Sequence, residues 1–230
     1  MFSVVTYNIR SGLGLDGIRS IRRVADVLAA LSPHVVCLQE VDQRVRRSWL
    51  SNQPKFLSTR LGMHAVFQRN ISSGAGGYGN CVLLRPRVTH CRCYKLPGAG
   101  EPRGVLEVTT SLDDREVVIL CTHLSTDAEE RVRQAQRVLE IASEIRRPKI
   151  LCGDVNDESG SRAMEILLSG PVLTDCASRA GEREATFDSA SPSRRIDYIL
   201  ADRRFSVLSC RTVASEASDH RPVVAELALG

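Results

Sequence analysis

Short apolar runs separated by turn-forming residues recur along the whole chain, and this pattern predicts many β-strands and few helices. About ten such runs are present. The predicted strands cover residues 2–8, 35–40, 64–68, 80–85, 105–111, 116–123, 149–154, 196–201, 206–213 and 222–227. The chain is therefore expected to consist mainly of sheet.

Three segments instead show helical spacing of apolar residues, at every third or fourth position. The predicted helices cover residues 17–31, 127–146 and 161–168. Pro33 follows the first helix, Thr126 and Glu129 form a candidate capping box for the second, and Gly170-Pro171 ends the third. These helices lie between strands, so we expect them to pack against sheets.

The mixture of strands and helices favours an α/β or α+β sandwich, with helices outside the sheets, over a helical bundle or an all-β barrel. No internal repeat or long linker interrupts residues 1–230, and we expect a single domain. Two stretches rich in Gly, Ser and Arg, residues 71–79 and 179–195, are predicted to be loops.

Composition narrows the class of protein further. The chain has 230 residues, of which 43% are hydrophobic and 25% charged, so it is not expected to be disordered or collagen-like. Its longest apolar run, residues 117–121, is far shorter than the ~20 residues that cross a bilayer. We therefore expect no membrane insertion.

The charge and the cysteines add two weaker expectations. The net charge is +4, which permits an anionic partner such as a nucleic acid without requiring one. Most of the eight cysteines lie in apolar runs, as Cys121 and Cys152 do, which indicates reduced, buried thiols. Because no signal peptide is visible at the start, we expect a cytoplasmic protein.

Polar side chains with catalytic potential stand at the ends of the predicted strands. They are Asn8, Gln39, Glu40, His123, Asp154, Asn156, Asp197, Asp219 and His220. Carboxylates beside apolar runs are costly unless they are paired or bind a cation. Hard oxygen donors such as Glu40, Asp154 and Asp219 suit Mg²⁺ or Mn²⁺, so the pattern favours one metal site.

Six motifs carry a resemblance to a known family. In chain order they are TYNIR, LQEVD, CTHLS, GDVND, RIDYI and SDHRPV, between Thr6 and Val223. Each motif alone is weak, but the ordered set closely resembles the endonuclease/exonuclease/phosphatase superfamily. The resemblance implies a deoxyribonuclease I-like four-layer sandwich, in which two packed mixed β-sheets are flanked by helices. It also implies metal-dependent hydrolysis of a phosphoester substrate without a covalent intermediate.

The resemblance assigns roles to the residues at the metal. Glu40 matches the principal metal ligand, Asn8 matches an amide that holds metal and phosphate, and Asp219 matches a residue at the metal site. Asp154 matches the carboxylate that orients or deprotonates the attacking water, and it is also a candidate ligand. Asn156 matches a residue that contacts phosphate.

Two histidines complete the implied machinery. His220 matches the histidine that meets the scissile phosphate, and Asp197 matches the carboxylate that orients it. His123 resembles a second histidine that contacts phosphate and can protonate the leaving oxygen. Whether Asp154 or His220 is the general base stays open at this point.

Three positions depart from the pattern or admit two interpretations. Asn80 stands where deoxyribonucleases carry an acid that orients the residue matching His123, so that orienting role is in doubt, although Asn80 stays a candidate substrate contact. Arg103 is expected either near the phosphate or in a surface ion pair with Glu101. Arg10 stands where repair endonucleases carry an acid, so no metal contact is assigned to it.

The segment after Glu40 is a further candidate. Arg44, Arg46 and Arg47 accompany Trp49, and an aromatic ring among arginines can stack on bases. The other interpretation is a solvated face with Trp49 packed beneath it.

The expected function is a nuclease-like phosphodiesterase that works as a monomer with Mg²⁺ or Mn²⁺. The rival enzymes are a phosphomonoesterase acting on nucleotides, sugar phosphates or inositol phosphates, and a sphingomyelinase-like lipid phosphodiesterase. A binding module that has lost catalysis is the rival from another class.

Overall fold

Two six-stranded sheets form the centre of the molecule, which a computed structural model describes over residues 1–170 and 172–230. The strands are β1 (Phe2–Asn8), β2 (Val35–Gln43), β3 (His64–Ser73), β4 (Gly76–Leu84), β5 (Val88–Lys95), β6 (Gly104–Leu112), β7 (Arg115–His123), β8 (Lys149–Asp154), β9 (Thr174–Asp175), β10 (Asp197–Ala201), β11 (Phe205–Thr212) and β12 (Val223–Leu229). The helices are α1 (Ile21–Leu31), α2 (Gln53–Leu61), α3 (Ala128–Glu144), α4 (Arg162–Leu167) and α5 (Cys176–Ala180).

Both sheets mix parallel and antiparallel pairs. The spatial order is β11-β12-β1-β2-β4-β3 in one sheet and β5-β6-β7-β8-β10-β9 in the other. The parallel pairs, β1 with β2 and β7 with β8, lie inside their sheets rather than at the edges. Both faces of these strands are covered, which is why their sequences are nearly continuous apolar runs.

Apolar side chains form three layers. One lies between the two sheets and contains Val4 and Ile119. A second packs α3 and α4 on the outer face of the β7 sheet, around Val138, and a third packs α1 and α2 on the outer face of the β1 sheet, around Leu28. The predicted four-layer sandwich is therefore confirmed.

The ten predicted strands are all present, and the structure adds β5 and β9. β5 is an exposed edge strand that contains Cys91 and Cys93, so it lacks the apolar run that marks a buried strand. β9 has only two residues. The prediction of a loop over residues 71–79 is wrong, because β3 and β4 form a hairpin that leaves only two residues between Ser73 and Gly76.

Two of the predicted helices begin later than expected. α1 begins at Ile21, because the chain still turns at Gly17, where φ is +74°. The N-cap of α3 is Asp127, whose side chain accepts a hydrogen bond from the backbone N–H of Glu130, so the predicted cap at Thr126 is wrong.

Two helices, α2 and α5, have no counterpart among the predictions. α2 is short and weakly amphipathic, and local signals define its ends: the Asn52 side chain accepts from the N–H of Lys55, and Gly62 follows in the left-handed conformation. The third predicted helix is present as α4, while Pro171, which was expected to close it, lies outside the described residues.

The cysteines that lie in apolar runs are reduced and buried, as predicted. Cys37, Cys81, Cys121 and Cys152 are buried free thiols. None of the helices within residues 1–170 and 172–230 is long and apolar enough to cross a bilayer.

The strand registers bring the predicted polar residues to one edge of the sandwich. Asn8 lies beside Gln39 in the first sheet. In the second sheet His123 lies beside Asp154, which in turn pairs with Asp197 on β10. Strand pairing therefore determines where the site lies.

Gly153, next to Asp154, is required by the close approach of β7. A Cβ at this position would lie 2.2 Å from the carbonyl oxygen of Thr122, which is backbone and cannot move aside. We expect Gly153→Ala to lower the free energy of unfolding by about 1–3 kcal/mol, or to lower Tm by roughly 3–10 °C. Thermal unfolding followed by circular dichroism measures this change.

The matched control is Gly100→Ala, whose Cβ would meet only the flexible end of the Glu130 side chain, at 3.2 Å. Its Tm should stay close to that of the wild type. Equal losses in the two variants would contradict the assignment of the Gly153 effect to strand contact.

Candidate active site

Asn8 lies at the centre of the polar cluster, at the end of β1. Its side-chain Nδ2 donates to Glu40 Oε1 on β2 and to Asp154 Oδ2 on β8, each at 3.0 Å. Its Oδ1 accepts from the backbone N–H of Arg10 at 3.1 Å, which fixes the orientation of the amide. One amide therefore holds a carboxylate from each sheet at a common point.

Glu40 reaches this point because β2 is irregular there. Its φ is +58°, which L residues rarely adopt, and the pairing of β2 with β4 shifts register between Leu38 and Val41. The Ser11 hydroxyl donates to the carbonyl oxygen of Glu40 at 3.1 Å. The bulge and this hydrogen bond keep the Glu40 side chain at the cluster while its neighbours stay in the sheet.

His220, Asp197 and Asp154 form a buried acid–base group. His220 Nδ1 is 2.9 Å from Asp197 Oδ2, and His220 Nε2 is 3.7 Å from Asp154 Oδ2. The Phe187 ring covers the imidazole, with the ring centres 4.9 Å apart. All three polar side chains are buried, so water screens their interactions weakly.

The surroundings shift two pKa values strongly. Burial, together with the nearby Asp197, raises the pKa of Asp154 to about 7. For His220, burial alone would lower the pKa, but Asp197 and Asp154 raise it to about 10. At neutral pH His220 is therefore charged, while Asp154 lies near its titration midpoint and can take up a proton.

His123 is held in one tautomer by Arg103. Arg103 Nη1 lies 2.7 Å from His123 Nδ1, and because a guanidinium only donates, Nδ1 must accept. The ring proton is then on Nε2, which is 3.3 Å from Asp154 Oδ2. Asn156 Nδ2 lies nearby and donates to the carbonyl oxygen of Leu124. His123 thus presents an N–H to the cluster.

Burial, followed by the positive charges of Arg103 and His220, also lowers the pKa of His123 well below its usual value. An acid at Nδ1, in place of Arg103, would shift the pKa in the opposite direction. Asn80, at the position where an acid was considered, does not orient His123: its Nδ2 donates to the carbonyl oxygen of Gly104 and it lies buried behind the cluster. His123 is therefore neutral, and Arg103 orients it.

Arg103 pairs with Glu101 and also contacts His123 at the cluster. Its Nη1 lies 3.0 Å from Glu101 Oε1, and the same atom bonds His123. Only 8% of the side chain is exposed, so the pair with Glu101 is not a surface ion pair. The guanidinium carries positive charge to the edge of the cluster without lying in its centre.

Asp219 completes the group around Asn8. The Ser218 hydroxyl bridges the two, at 2.8 Å from the carbonyl oxygen of Asn8 and 3.2 Å from Asp219 Oδ1. Arg10 Nε lies 3.2 Å from Asp219 Oδ2, so the residue to which no metal contact was assigned neutralises a carboxylate instead.

The donors around Asn8 fit a hard divalent cation. Glu40, Asp154, Asp219 and Asp197 bring four carboxylates to one edge of the sandwich. Asp197 Oδ1 is buried and has no hydrogen-bond partner within the part of the chain that the structure describes. Excess buried negative charge of this kind is costly unless a cation balances it, and oxygen ligands are those that Mg²⁺ and Mn²⁺ prefer.

Sequence reasoning missed the residues that support the cluster. Ser11, Phe187 and Ser218 each touch a site residue. Ser218 directly precedes the acid–histidine pair in SDHRPV and could have been included on that ground. Phe187 lies in a predicted loop, and nothing in the sequence shows that its ring covers His220.

Comparisons with known proteins show the family. A model of the endonuclease/exonuclease/phosphatase family matches residues 5–220. The chain belongs to this family. The family resemblance inferred from the six motifs is therefore confirmed.

Individual relatives are more distant. Tyrosyl-DNA phosphodiesterase 2 of Gallus gallus is 30% identical over 145 residues, which are 60% of this chain and 36% of that protein. The chain thus matches little more than a third of the relative's length.

Solved structures with the same fold are similar over the full chain. An endonuclease/exonuclease/phosphatase from Beutenbergia cavernae has a TM-score of 0.83 at 25% identity, over 100% of this chain and 72% of its own. A mannosyl-6-phosphatase from Bacteroides thetaiotaomicron has a TM-score of 0.82 at 20% identity, over 100% of both chains.

The raised pKa of Asp154 predicts a specific pH dependence of stability in the metal-free protein. The folded state binds this proton more tightly than the unfolded state, so Asp154 costs stability as the pH rises from about 4 to about 7, and the full cost persists above pH 7. Asp154→Asn removes that cost. As the pH rises from 5 to 7, the free energy of unfolding of the variant should increase by roughly 2 kcal/mol relative to that of the wild type. This difference corresponds to about 4–8 °C in Tm.

Thermal unfolding in EDTA at several pH values measures this gain. Asp114→Asn, at an exposed position, is the control and should follow the wild type throughout. A difference between Asp154→Asn and wild type that does not change with pH would contradict the assignment.

Proposed function

We propose that the protein hydrolyses phosphodiesters by in-line attack of water, with Mg²⁺ or Mn²⁺ bound at the cluster. The observation that carries the proposal is the pairing of a buried carboxylate near its titration midpoint, Asp154, with a charged imidazole, His220, at 3.7 Å. This pair lies beside the carboxylate oxygens of Glu40 and Asp219. A base, a cationic donor and a set of ligands for a hard cation are what phosphoryl hydrolysis requires.

In the proposed reaction Asp154 accepts a proton from the attacking water. The water oxygen bonds to phosphorus as the bond from phosphorus to the leaving oxygen breaks. His220, His123 and Asn156 each have an N–H at the cluster that can donate to phosphoryl oxygens. A divalent cation held by Glu40 and Asp219, together with Asp154, would neutralise phosphoryl charge and make the water easier to deprotonate. Asn8 was predicted as a further ligand, but its Nδ2 faces the cluster and its Oδ1 bonds the Arg10 N–H, so it holds the carboxylates rather than the cation.

We assign the general base to Asp154 rather than to His220. A base must be unprotonated before it acts, and with a pKa of about 10 His220 carries its proton at neutral pH. Asp197 bonds Nδ1 of the same ring and holds that charge in place. His220 therefore acts as a donor, which leaves Asp154 as the proposed base. Its pKa is raised to about 7 in the metal-free protein, and a bound cation would favour its ionised, proton-accepting form.

The curated relative supports a diester substrate, because its name gives a phosphodiesterase that acts on tyrosyl-DNA. The fold by itself does not choose, since the structure of a mannosyl-6-phosphatase has nearly the same fold. We propose a nucleic acid diester as the substrate, and make a phosphomonoester the rival outcome of the test.

The test compares bis(p-nitrophenyl) phosphate, p-nitrophenyl phosphate and supercoiled plasmid, each with Mg²⁺, Mn²⁺ or EDTA. We expect metal-dependent cleavage of the diester and nicking of the plasmid. Asp154→Asn and His220→Ala should each lower turnover at least ~100-fold, the scale of one acid–base or electrostatic group.

Asp114→Asn controls for carboxylate loss away from the site, and circular dichroism checks folding. Undiminished turnover in folded Asp154→Asn or His220→Ala would overturn the site assignment. Cleavage of the monoester with no cleavage of either diester would replace the proposed substrate class by a phosphomonoester.

Glu40 is proposed to bind the cation through its charge, so Glu40→Gln should alter the metal titration rather than the chemistry alone. We expect the Mg²⁺ concentration at half-maximal rate to rise at least about 10-fold, equivalent to about 1.4 kcal/mol. Rates measured against Mg²⁺ concentration provide the readout. An unchanged titration midpoint would remove Glu40 from the proposed ligand set.

A further inference from the structure

The segment 44–51, which joins β2 to α2, exposes large apolar side chains beside the active site. Trp49 is 76% exposed and Leu50 is 62% exposed. The interpretation in which Trp49 packs beneath a solvated face is therefore wrong. Trp49 is also the single tryptophan of the chain. A large aromatic side chain left in solvent at this position points to a partner.

The backbone conformation of the segment keeps these side chains in solvent. Arg44, Trp49 and Leu50 all have positive φ, between 50° and 57°, which L residues adopt rarely. Backbone hydrogen bonds close the turn, from Leu50 N to the oxygen of Val45 at 3.0 Å and from Arg44 N to the oxygen of Ser51 at 2.7 Å. Strained backbone that gains no packing for its side chains is typical of functional loops.

Arg47 anchors the segment to the active site. Its guanidinium forms a bidentate pair with the buried Asp42, at 2.7 and 3.0 Å. Its Nη2 also donates to the Ser11 hydroxyl at 3.1 Å, and that hydroxyl donates to the carbonyl oxygen of Glu40. A chain of hydrogen bonds thus fixes the segment relative to the proposed metal ligand.

Two further arginines give the segment its charge. Arg44 and Arg46 are exposed, and neither pairs with a carboxylate among residues 1–170 and 172–230. With Leu50 they line a cleft of about 670 Å³ whose opposite wall is the tip of the β3–β4 hairpin, at Ser73 and Gly74. The cleft is therefore positively charged. Trp49 does not line it but lines a second pocket, together with Arg22.

We propose that this surface, formed by Arg44, Arg46, Trp49 and Leu50, docks single-stranded nucleic acid, with a base stacked on Trp49 and phosphates at the two arginines. The proposal rests on the proposed function, since the docked strand is the substrate of the neighbouring site. Exposed arginines complement phosphate charge, and an exposed indole offers a face that any unpaired base can use. A duplex hides its base faces, which is why a single strand is the favoured occupant.

A membrane surface is the competing partner, because tryptophan and arginine also occur at bilayer interfaces. The apolar part of the surface consists of only two side chains, and its neighbours Ser48 and Ser51 are polar. An amphipathic docking helix is lacking here, since the segment contains only a short 3-10 turn at Arg46–Ser48. Vesicles of anionic lipid therefore enter the test as a contrary outcome.

The single tryptophan makes binding directly observable. Full-length Asp154→Asn, which does not turn over the strand, is titrated with a short oligothymidylate while the fluorescence of Trp49 is followed. We expect saturable quenching, with a binding affinity that falls as the salt concentration rises. Changing both Arg44 and Arg46 to Gln should reduce the magnitude of the slope of log K against log[salt] by about 1.4. No quenching by the oligonucleotide, equal binding of duplex, or a fluorescence change with anionic vesicles alone would overturn the proposal.

Turnover separates docking from chemistry. In the otherwise wild-type protein, Trp49→Ala should lower kcat/KM on the oligonucleotide by roughly 5- to 100-fold, the range for one stacked base. Trp49→Phe should retain most of the activity. All three proteins should hydrolyse bis(p-nitrophenyl) phosphate equally, since that substrate is too small to reach the surface. Leu208→Ala, at an exposed position on β11, is the matched control.

The two proposals fail in different ways. If the proposed function is wrong, the wild-type protein will hydrolyse neither bis(p-nitrophenyl) phosphate nor the oligonucleotide. If only the docking proposal is wrong, Trp49→Ala will hydrolyse both substrates as fast as the wild type.

Discussion

The amide of Asn8 is the interaction on which the site depends. Two packed sheets have no intrinsic reason to hold their strand ends in a fixed relation, because apolar contacts are not directional. Asn8 supplies direction, since its two amide hydrogens reach Glu40 in one sheet and Asp154 in the other at the same distance of 3.0 Å. A shift of either sheet would break one of these bonds and leave a polar group unsatisfied where burial makes that costly.

Charge is the second constraint, and it opposes stability. Four carboxylates meet at an edge where Asp154 and Asp197 are fully buried, and the charged His220 and Arg10 balance only part of them. The raised pKa of Asp154 expresses this imbalance. A cluster arranged only for folding would replace one of these acids by an apolar residue. The cluster therefore costs stability in the absence of a cation, as functional sites commonly do.

The sequence predicted those parts of the fold in which burial requires a recognisable run of apolar residues. Strands such as β7 and β8 are buried on both faces, so their apolar runs and polar ends were visible, and the six motifs lay at those ends. It failed where burial leaves no pattern, as at the exposed edge strand β5. It also could not place Arg103 on His123. Arg103 directly precedes β6, His123 ends β7 20 positions later, and only the pairing of β6 with β7 brings them together.

That contact decides which histidine can protonate the leaving group. With Arg103 on Nδ1, His123 is a neutral donor, and no acid at Nδ1 sustains an imidazolium. His220 keeps its proton at neutral pH, with a pKa of about 10, but the alkoxide released from a nucleic acid diester is a much stronger base and can take that proton up. In the proposed reaction His220 would therefore protonate the leaving oxygen, while His123 would stabilise it through a hydrogen bond.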